Sequence, residues 1–172
     1  MQKLQQIGTI AIRKSVSLLH TRNFRQVHEV AEMFEWHDCI GTGSHGQVFR
    51  ATNRKWQKEC AIKIISKVNL LESPILMKLM SQELHVCEQL EHPHIVRVLD
   101  LFEDTFQIYI VMEYLTGGHL LDLLTRLLSD NSQRLSEKDI GNIIYQVMLA
   151  LNHMHQRGIV HRDLKLENIM TQ

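Results

Sequence analysis

The glycines at positions 41, 43 and 46 constrain the fold of this chain more than any other feature. The stretch Gly41-Thr42-Gly43-Ser44-His45-Gly46 lies between two β-like segments, Trp36–Ile40 and Gln47–Ala51. In a dinucleotide-binding unit, a Gly-x-Gly-x-x-Gly turn opens a helix, and an acidic residue follows about 20 positions later. Here the chain continues as strand, and Lys63 stands where that acid would be. The pattern therefore predicts a β-hairpin whose backbone N–H groups can approach an anion, because glycine has no Cβ.

More strands and one helix are expected to complete a small β-rich region. After a turn at Thr52–Glu59, the predicted strands are Cys60–Ile65, Ile95–Phe102 and Gln107–Tyr114. Ser73 can cap a helix and Pro74 suits its first turn, so we predict a helix from there to about Leu90. Five antiparallel strands and one main helix result.

Beyond a connector containing Gly117 and Gly118, the pattern becomes helical. Leu120–Leu128 is rich in leucine, and Ser136–Asp139 forms a capping box that opens a second helix. That helix is expected to end at Gly158. Its predicted core residues are Ile143, Val147, Ala150, Leu151 and Met154. Residues 1–33 are expected to form a flexible or docking extension.

Composition excludes several classes of protein. The net charge of +0 provides no field for nucleic acid or an anionic membrane. The 3 cysteines are odd in number and far apart, which suits a reducing compartment. The sequence has no transmembrane-length apolar run and no signal-peptide core. We therefore expect an intracellular, cytoplasmic protein with no transmembrane segment and no nucleic-acid partner.

Two charged residues stand in apolar surroundings. Lys63 lies between Ile62 and Ile64, and alternation makes it face opposite to them. A lysine there is costly unless it is paired or meets a ligand anion, the alternative being an edge lysine in solvent. Glu83 falls on the apolar face of the predicted helix and is the candidate partner of Lys63. The alternative for Glu83 is a position at the margin of that face, in water.

The segment His161–Asn168 reads His-Arg-Asp-Leu-Lys-Leu-Glu-Asn. The carboxylate of Asp163 can accept a proton, and the amide oxygen of Asn168 can ligate a hard cation such as Mg²⁺. Lys165 can face a phosphate. Such a loop suits phosphoryl transfer, although a solvated turn would contain the same residue types.

Together these motifs resemble those of the eukaryotic protein kinase family. Ile40–Val48 looks like its glycine-rich loop, and Ala61-Ile62-Lys63 looks like its strand lysine motif. Glu83 looks like the helix glutamate, and His161–Asn168 like the catalytic loop. The resemblance covers about residues 34–172. It implies an α+β, two-lobed kinase-like fold: a complete small antiparallel β lobe with one main helix over 34–114, and an incomplete helical lobe over 115–172.

The resemblance also implies roles for single residues. Asp163, Lys165 and Asn168 would be catalytic, with Asn168 also the Mg²⁺ ligand. Glycine backbone would cover the ATP phosphates. Lys63, held by Glu83, would contact the α- and β-phosphates, and Met112 would be the gatekeeper. The implied nucleotide-binding residues are Ile40, Gly41, Gly43, Gly46, Val48, Ala61, Lys63, Glu83, Met112, Glu113, Leu115 and Met170.

Lys165, two residues after Asp163, is similar to the serine/threonine class. Tyr109–Tyr114 and Gly117-Gly118 look most like the calcium/calmodulin-dependent and calcium-dependent kinase group. The implied function is transfer of the γ-phosphoryl group of ATP to a serine or threonine hydroxyl of a protein substrate, with Mg²⁺. Calcium or calmodulin control cannot be read from these residues. His119 departs from the group, which usually has glutamate there, and this puts a preference for basic peptides in doubt.

The 172 residues contain no Asp-Phe-Gly motif, which follows the catalytic loop in the family. We therefore expect these residues alone to be poorly stable and inactive. The alternative function is a non-catalytic, kinase-like interaction module. An Asp-Phe-Gly within about 20 residues past Gln172 in the coding sequence would favour the enzyme.

Overall fold

The chain forms two compact units. The computed structural model describes residues 10–12, 25–26, 30–43, 46–68, 90–129 and 134–172. The sheet unit holds the described residues of Val16–Gln89 together with Arg97–Tyr114. The helical unit holds the described residues of Met1–Ser15, Leu90–Val96 and Leu115–Gln172.

The elements follow one another in chain order. The described strands are β1 (Ile10–Ile12), β2 (Arg25–Gln26), β3 (Phe34–Gly43), β4 (Gly46–Asn53), β5 (Lys58–Ser66), β6 (Val98–Glu103), β7 (Gln107–Glu113), β8 (Gly118–His119) and β9 (Ile169–Thr171). The described α-helices are α1 (Val30–Met33), α2 (Leu120–Ser129) and α3 (Glu137–His155). A 3₁₀ turn covers Leu166–Asn168. The helix predicted from Ser73 lies outside the described residues, apart from its last predicted residue, Leu90.

The sheet unit is built on a 6-stranded sheet in the order β2-β6-β7-β5-β4-β3. Strands β3 to β7 pair antiparallel throughout, which confirms the predicted five-strand antiparallel sheet. Strand β2 pairs parallel with β6 and was not predicted. Two residues are too few to show an alternating pattern, so a pattern-based prediction misses such a strand.

The turn between β4 and β5 is tighter than the sequence indicated. The ladder continues through the Thr52–Glu59 and Asn53–Lys58 pairs, so only 54–57 remain as turn. The buried Asn53 side chain holds this turn, because its Oδ1 accepts the backbone N–H groups of Lys55 (3.0 Å) and Trp56 (3.1 Å).

Aromatic and β-branched side chains fill one face of this sheet. Phe34 and Phe102 meet edge to face with ring centroids 6.1 Å apart. The buried residues of this core are Val30, Phe34, Ala51, Cys60, Ile62, Phe102, Tyr109 and Val111. Ile62 has no solvent exposure, as its place in the middle of β5 favours.

The helical unit combines a 3-stranded sheet, β1-β9-β8, with α2 and α3. The capping box of α3 is present: Ser136 Oγ accepts the N–H of Asp139 at 3.2 Å, and the Asp139 carboxylate accepts the Ser136 N–H at 3.1 Å. The buried residues of α3 are Ile143, Val147, Ala150 and Met154. Leu151, which was also predicted for this core, is half-buried. The helix ends before Gly158, which has a φ of +70°.

Asp104 organises the turn between β6 and β7. Its Oδ1 accepts the N–H groups of Phe106 and Gln107, both at 2.7 Å, and its Oδ2 accepts the Tyr109 hydroxyl at 2.7 Å. Burial alone would raise the pKa of this carboxyl, but these hydrogen bonds and the charge of Lys67 lower it below its ordinary value of 3.8. Burial and the Asp104 hydrogen bond raise the pKa of the Tyr109 hydroxyl.

We predict that Asp104→Ala lowers the free energy of unfolding at pH 7 by about 1–3 kcal/mol. The N–H groups of Phe106 and Gln107 lose their side-chain acceptor, and the Tyr109 hydroxyl loses one of its two acceptors. Since the folded pKa is lowered, this contribution is present above pH 3.8 and is lost as the pH falls through the folded value. The free energies of unfolding of the parent and of Asp104→Ala, measured by urea denaturation, should therefore converge in acid. Thr105→Ala, at the exposed neighbouring position, is the control; equal loss in both variants would contradict the role of Asp104.

Three histidine rings meet where the segment Leu90–Val96 packs against the end of α3. The His92 ring lies 4.8 Å from that of His153 and 5.4 Å from that of His94, measured between centroids. His92 Nδ1 accepts the His94 N–H at 3.1 Å, which requires that nitrogen to be unprotonated. Burial lowers the pKa of His92 below 6.5, and the positive charges of His153, His94 and Arg157 lower it further.

We expect this cluster to weaken the fold in mild acid. A histidine whose pKa is lowered by folding contributes stability above the unfolded pKa of 6.5 and loses it as the pH falls below that value. The urea concentration at the midpoint of unfolding should decrease as the pH is lowered from 7 to 5. This decrease should be smaller in His92→Gln. His155→Gln, at an exposed histidine at the end of α3, is the matched control. An unchanged pH profile in His92→Gln would contradict the prediction.

Candidate functional site

The predicted glycine-rich hairpin is formed by β3 and β4. Gly41 lies opposite Val48, and Gly43 lies opposite Gly46. Gly46 has a φ of +125°, and a Cβ there would lie 2.0 Å from the carbonyl oxygen of Ile64. Glycine is therefore required at position 46 by the backbone conformation and by the approach of β5. At Gly43 a Cβ would meet no atom within 4 Å.

The register of the sheet places several predicted nucleotide residues on one face. Val48 lies opposite Lys63, and Ala61, two residues earlier in β5, lies opposite Met112. Because side chains alternate along a strand and directly opposed residues share a face, Val48, Ala61, Lys63 and Met112 point to the same side. Gly41, opposite Val48, belongs to that side as well.

This face combines apolar burial with a lysine side chain. Val48 and Ala61 are 6% and 7% exposed, and Lys63 is half-buried between them and Ile110. Ile40, the first residue assigned to the loop, is exposed at 38%. Glu83, the predicted partner of Lys63, lies outside the described residues.

Glu113, the next predicted residue, is tied to the neighbouring strand segment. Its N–H donates to the Arg97 carbonyl at 3.0 Å, and its Oε1 accepts the Arg97 N–H at 2.8 Å. The backbone N–H of Glu113 is thus already engaged within the sheet unit.

In the helical unit, Leu115 is buried and Met170 is half-buried in the middle of β9. The connector before β8 contacts β9 closely, since the Gly117 N–H donates to the Thr171 carbonyl at 3.0 Å. A Cβ on Gly117 would lie 2.5 Å from that carbonyl oxygen. Glycine at position 117 therefore lets the connector reach the strand.

The loop 161–168 brings its three predicted catalytic side chains together. Asn168 Nδ2 donates to the Asp163 carbonyl at 2.8 Å and to Asp163 Oδ2 at 2.9 Å. Lys165 Nζ lies 3.3 Å from the same Oδ2. The 3₁₀ turn supports this arrangement, because the Asn168 N–H donates to the Lys165 carbonyl at 2.9 Å. Asp163 and Lys165 are each about half exposed, at 50% and 49%, so solvent screens the ion pair and leaves its charges available to a ligand.

His161 positions this loop and was not predicted as a site residue. It is 3% exposed, and its carbonyl and Nδ1 accept the Asp163 N–H at 2.9 Å and 3.3 Å. Arg162, between them, has a φ of +63°, which is uncommon for a residue with a Cβ. The sequence signal was a histidine two residues before the aspartate, a spacing at which a side chain can hold the backbone of a tight turn.

The predicted site residues therefore form two sets. The sheet unit holds Ile40, Gly41, Gly43, Gly46, Val48, Ala61, Lys63, Met112 and Glu113. The helical unit holds Leu115, Asp163, Lys165, Asn168 and Met170. Within each set, the groups predicted from the motifs lie together. The sheet unit has a glycine hairpin beside a lysine, and the helical unit has a carboxylate, an amide and a lysine.

Comparison with known protein families decides the identity of this arrangement. The family model described as protein kinase domain matches residues 34–172. The chain belongs to the protein kinase family. The family predicted from the motifs is thereby confirmed.

Individual relatives agree with this assignment. The kinase chain is 35% identical over 143 residues to NUAK family SNF1-like kinase 1 of Mus musculus, covering 83% of this chain and 21% of the relative. It is 32% identical over 158 residues to calcium-dependent protein kinase 3 of Plasmodium yoelii yoelii, covering 92% of this chain and 27% of the relative. The chain thus spans about a fifth to a quarter of the length of these relatives.

A solved structure shows the same fold. The crystal structure of Rad53 1-466 in complex with AMP-PNP matches with a TM-score of 0.67 and 32% sequence identity, covering 82% of this chain and 35% of that one. The predicted α+β kinase-like fold is confirmed. Among the residues that the structure describes, no helix has both the length and the apolar character needed to cross a membrane.

The two glycines at the hairpin end should respond differently to substitution. Gly46→Ala places a methyl group against the Ile64 carbonyl at positive φ, and we expect it to lower the free energy of unfolding by about 1–3 kcal/mol or more. Gly43→Ala is the matched control, because its Cβ would enter open space. Thermal unfolding of both variants provides the measurement. Equal melting temperatures would contradict the close approach at position 46.

Proposed function

We propose that this chain supplies the nucleotide-binding face and the catalytic loop of an ATP-dependent serine/threonine protein kinase. The observation that carries the proposal is the loop geometry. One carboxylate oxygen, Asp163 Oδ2, lies 2.9 Å from the amide nitrogen of Asn168 and 3.3 Å from the ammonium of Lys165. A solvated turn has no need for these three groups to converge.

The sheet unit is proposed to bind ATP through its shared face. Backbone N–H groups of the glycine hairpin would cover the phosphates, and Lys63 would contact the α- and β-phosphates. Val48 and Ala61 supply the buried apolar surface on which an adenine ring can lie. Met112 is the proposed gatekeeper, and Glu113 offers its carbonyl to the adenine edge, because its N–H already serves Arg97.

The remaining proposed nucleotide residues complete this pocket. Ile40 precedes the glycines and would cover one face of the adenine ring. Leu115 offers backbone groups to the adenine edge, and Met170 would close the other side of the ring. Glu83 is proposed to hold Lys63, as the family motif implies.

The helical unit is proposed to carry out the transfer. Asp163 orients the serine or threonine hydroxyl of the protein substrate and accepts its proton. The hydroxyl oxygen then forms a bond to the γ-phosphorus, and the bond from that phosphorus to the leaving oxygen of ADP breaks. Lys165 steadies the γ-phosphoryl group, and the hydrogen bonds from Asn168 and Lys165 keep the Asp163 carboxylate oriented.

The loop also fits a magnesium ion. Asn168 directs its amide nitrogen to Asp163, so the amide oxygen is left as a hard ligand of the type that Mg²⁺ prefers. When bound, Mg²⁺ neutralises charge on the transferred phosphoryl group. Asn168 is the residue of this chain that we propose as its ligand.

The family resemblance supports the proposed substrate class and partners, and the cysteines support the proposed location. Lys165, two residues after Asp163, favours serine and threonine over tyrosine as acceptors. Calcium or calmodulin control is proposed only by analogy with the relative named calcium-dependent protein kinase 3.

We assign the small lobe to 34–114, the large-lobe portion to 115–172 and an extension to 1–33. A cytoplasmic location is supported by the free thiols of Cys39 and Cys60.

The test uses the protein expressed from its own gene and a serine-containing peptide. Lys63→Met should lower kcat/KM by about 100-fold or more, because it removes a charge that stabilises the transferred phosphates. Asp163→Asn should cause a comparable loss through the missing base. Transfer of ³²P from the γ-position of ATP is the measurement.

Lys58→Met is the matched control, since Lys58 is an exposed lysine at the start of the same strand, β5. Its turnover should equal that of the parent. Undiminished transfer by Lys63→Met would contradict the proposed role. Nucleotide binding without any transfer by the parent would instead favour the non-catalytic interaction module.

A further inference from the structure

The turn between β4 and β5 carries an exposed aromatic ring among basic side chains. Residues 54–57 read Arg-Lys-Trp-Gln, and Lys58 follows at the start of β5. Trp56 is 50% exposed, which is uncommon because tryptophan side chains are on average highly buried. Arg54, Lys55 and Lys58 are exposed as well. The turn therefore presents an indole ring and a cluster of cationic groups to solvent.

Within the part of the chain that the structure describes, these cations have no ion-pair partner. None of the ion pairs there includes Arg54, Lys55 or Lys58. Glu59, the next carboxylate along the chain, accepts a hydrogen bond from the Arg50 side chain at 2.9 Å. Although the net charge of the whole chain is +0, this turn is therefore a local concentration of positive charge.

Hydrogen bonds fix the backbone of the turn. In addition to the two N–H groups that the Asn53 side chain accepts, the Gln57 N–H donates to the Asn53 carbonyl at 2.8 Å. The Gln57 side chain donates to the Arg54 carbonyl at 2.8 Å, and the Arg54 N–H donates to the Met33 carbonyl at 3.0 Å. Residues 54–59 are all exposed, so the turn projects into solvent and lines no groove. A turn held in this way loses little conformational entropy when it binds.

We propose that this turn is a docking site for the surface of a membrane that contains anionic lipids. The negative potential of such a surface attracts exposed lysine and arginine side chains, and an indole ring favours the boundary between headgroups and acyl chains. A peptide is bound in a groove or along a sheet edge, whereas a projecting turn can enter the deformable boundary of a bilayer. The shape of the turn thus favours a lipid surface over an acidic peptide.

Docking at this turn leaves the proposed nucleotide face open. The turn and the glycine hairpin lie at opposite ends of β4, whose 8 residues place them about 25 Å apart. A membrane-bound protein could therefore still bind ATP at the other end of the sheet. The docking itself needs no nucleotide.

Cosedimentation with vesicles tests this site, using the protein expressed from its own gene. The vesicles consist of phosphatidylcholine alone or of equal parts of phosphatidylcholine and phosphatidylserine. The parent should sediment with the mixed vesicles but not with phosphatidylcholine alone, and added salt should release it. Trp56→Ala should weaken binding about tenfold, because the indole ring is the group that enters the bilayer. Lys55→Gln should weaken binding about fivefold, since each cation near an anionic surface contributes on this order.

Two variants outside the turn are matched controls. Phe106→Ala removes an aromatic ring that is 70% exposed in the turn between β6 and β7, which carries Asp104 instead of lysine or arginine. Lys138→Gln removes an exposed lysine from the first turn of α3. Both variants should bind the mixed vesicles as the parent does.

A second measurement follows the indole ring itself. Lipids with brominated acyl chains should quench tryptophan emission of the parent, because they reach a ring that enters the bilayer. This quenching should be smaller in Trp56→Phe. Trp36, the other tryptophan of these 172 residues, packs edge to face against Phe34 and Phe49 and keeps its emission.

Equal binding of the parent to both kinds of vesicle, or no binding to either, would overturn the inference. Undiminished binding by both Trp56→Ala and Lys55→Gln would also overturn it. Binding of soluble polyglutamate without binding of vesicles would overturn the membrane assignment and favour an acidic peptide as the partner. These measurements use neither nucleotide nor peptide substrate, so their outcome is independent of the proposed kinase activity.

Discussion

The backbone register of β4, β5 and β7 is the constraint on which the proposed nucleotide face depends. One residue of slip would turn every side chain of β5 to the other side of the sheet. Ile62, which has no exposure, would then leave the core, and Lys63 would enter it. The cost of burying that lysine among aromatic and aliphatic side chains thus enforces the same register that places it beside Val48 and the glycine hairpin.

In the helical unit, hydrogen bonds rather than side-chain packing hold the loop 161–168 in place. His161 holds the N–H of Asp163, Asn168 returns to the Asp163 carbonyl and carboxylate, and β9 continues from Asn168 into a three-stranded sheet. The loop is therefore anchored at both ends. An anchored loop would lose little conformational freedom in the proposed phosphoryl transfer, which is the condition for catalysis by positioning.

The sequence predicted those parts of the structure that local patterns determine. The hairpin at Gly41–Gly46, the capping box at Ser136 and the convergence of Asp163 with Asn168 all follow from residues close to one another in the chain. The strands β1 and β2 were not predicted, because three and two residues carry no readable alternation. Their pairing partners lie far away in sequence, so only tertiary contacts select them. The strand boundary at Asn53 was missed for a related reason: the Asn53 side chain closes a tighter turn than residue preference alone indicates.

The contrast between Gly43 and Gly46 bears on how such a motif is read. The chain's own backbone requires glycine at position 46, whereas a Cβ at position 43 would meet no described atom within 4 Å. The two glycines of one motif therefore carry different information. A related sequence that lacks the glycine at 46 would have an altered hairpin, whereas one that lacks it at 43 could keep the hairpin unchanged. A glycine-rich motif is in this sense two separate observations, one about the fold of the hairpin and one about the ligand proposed for it.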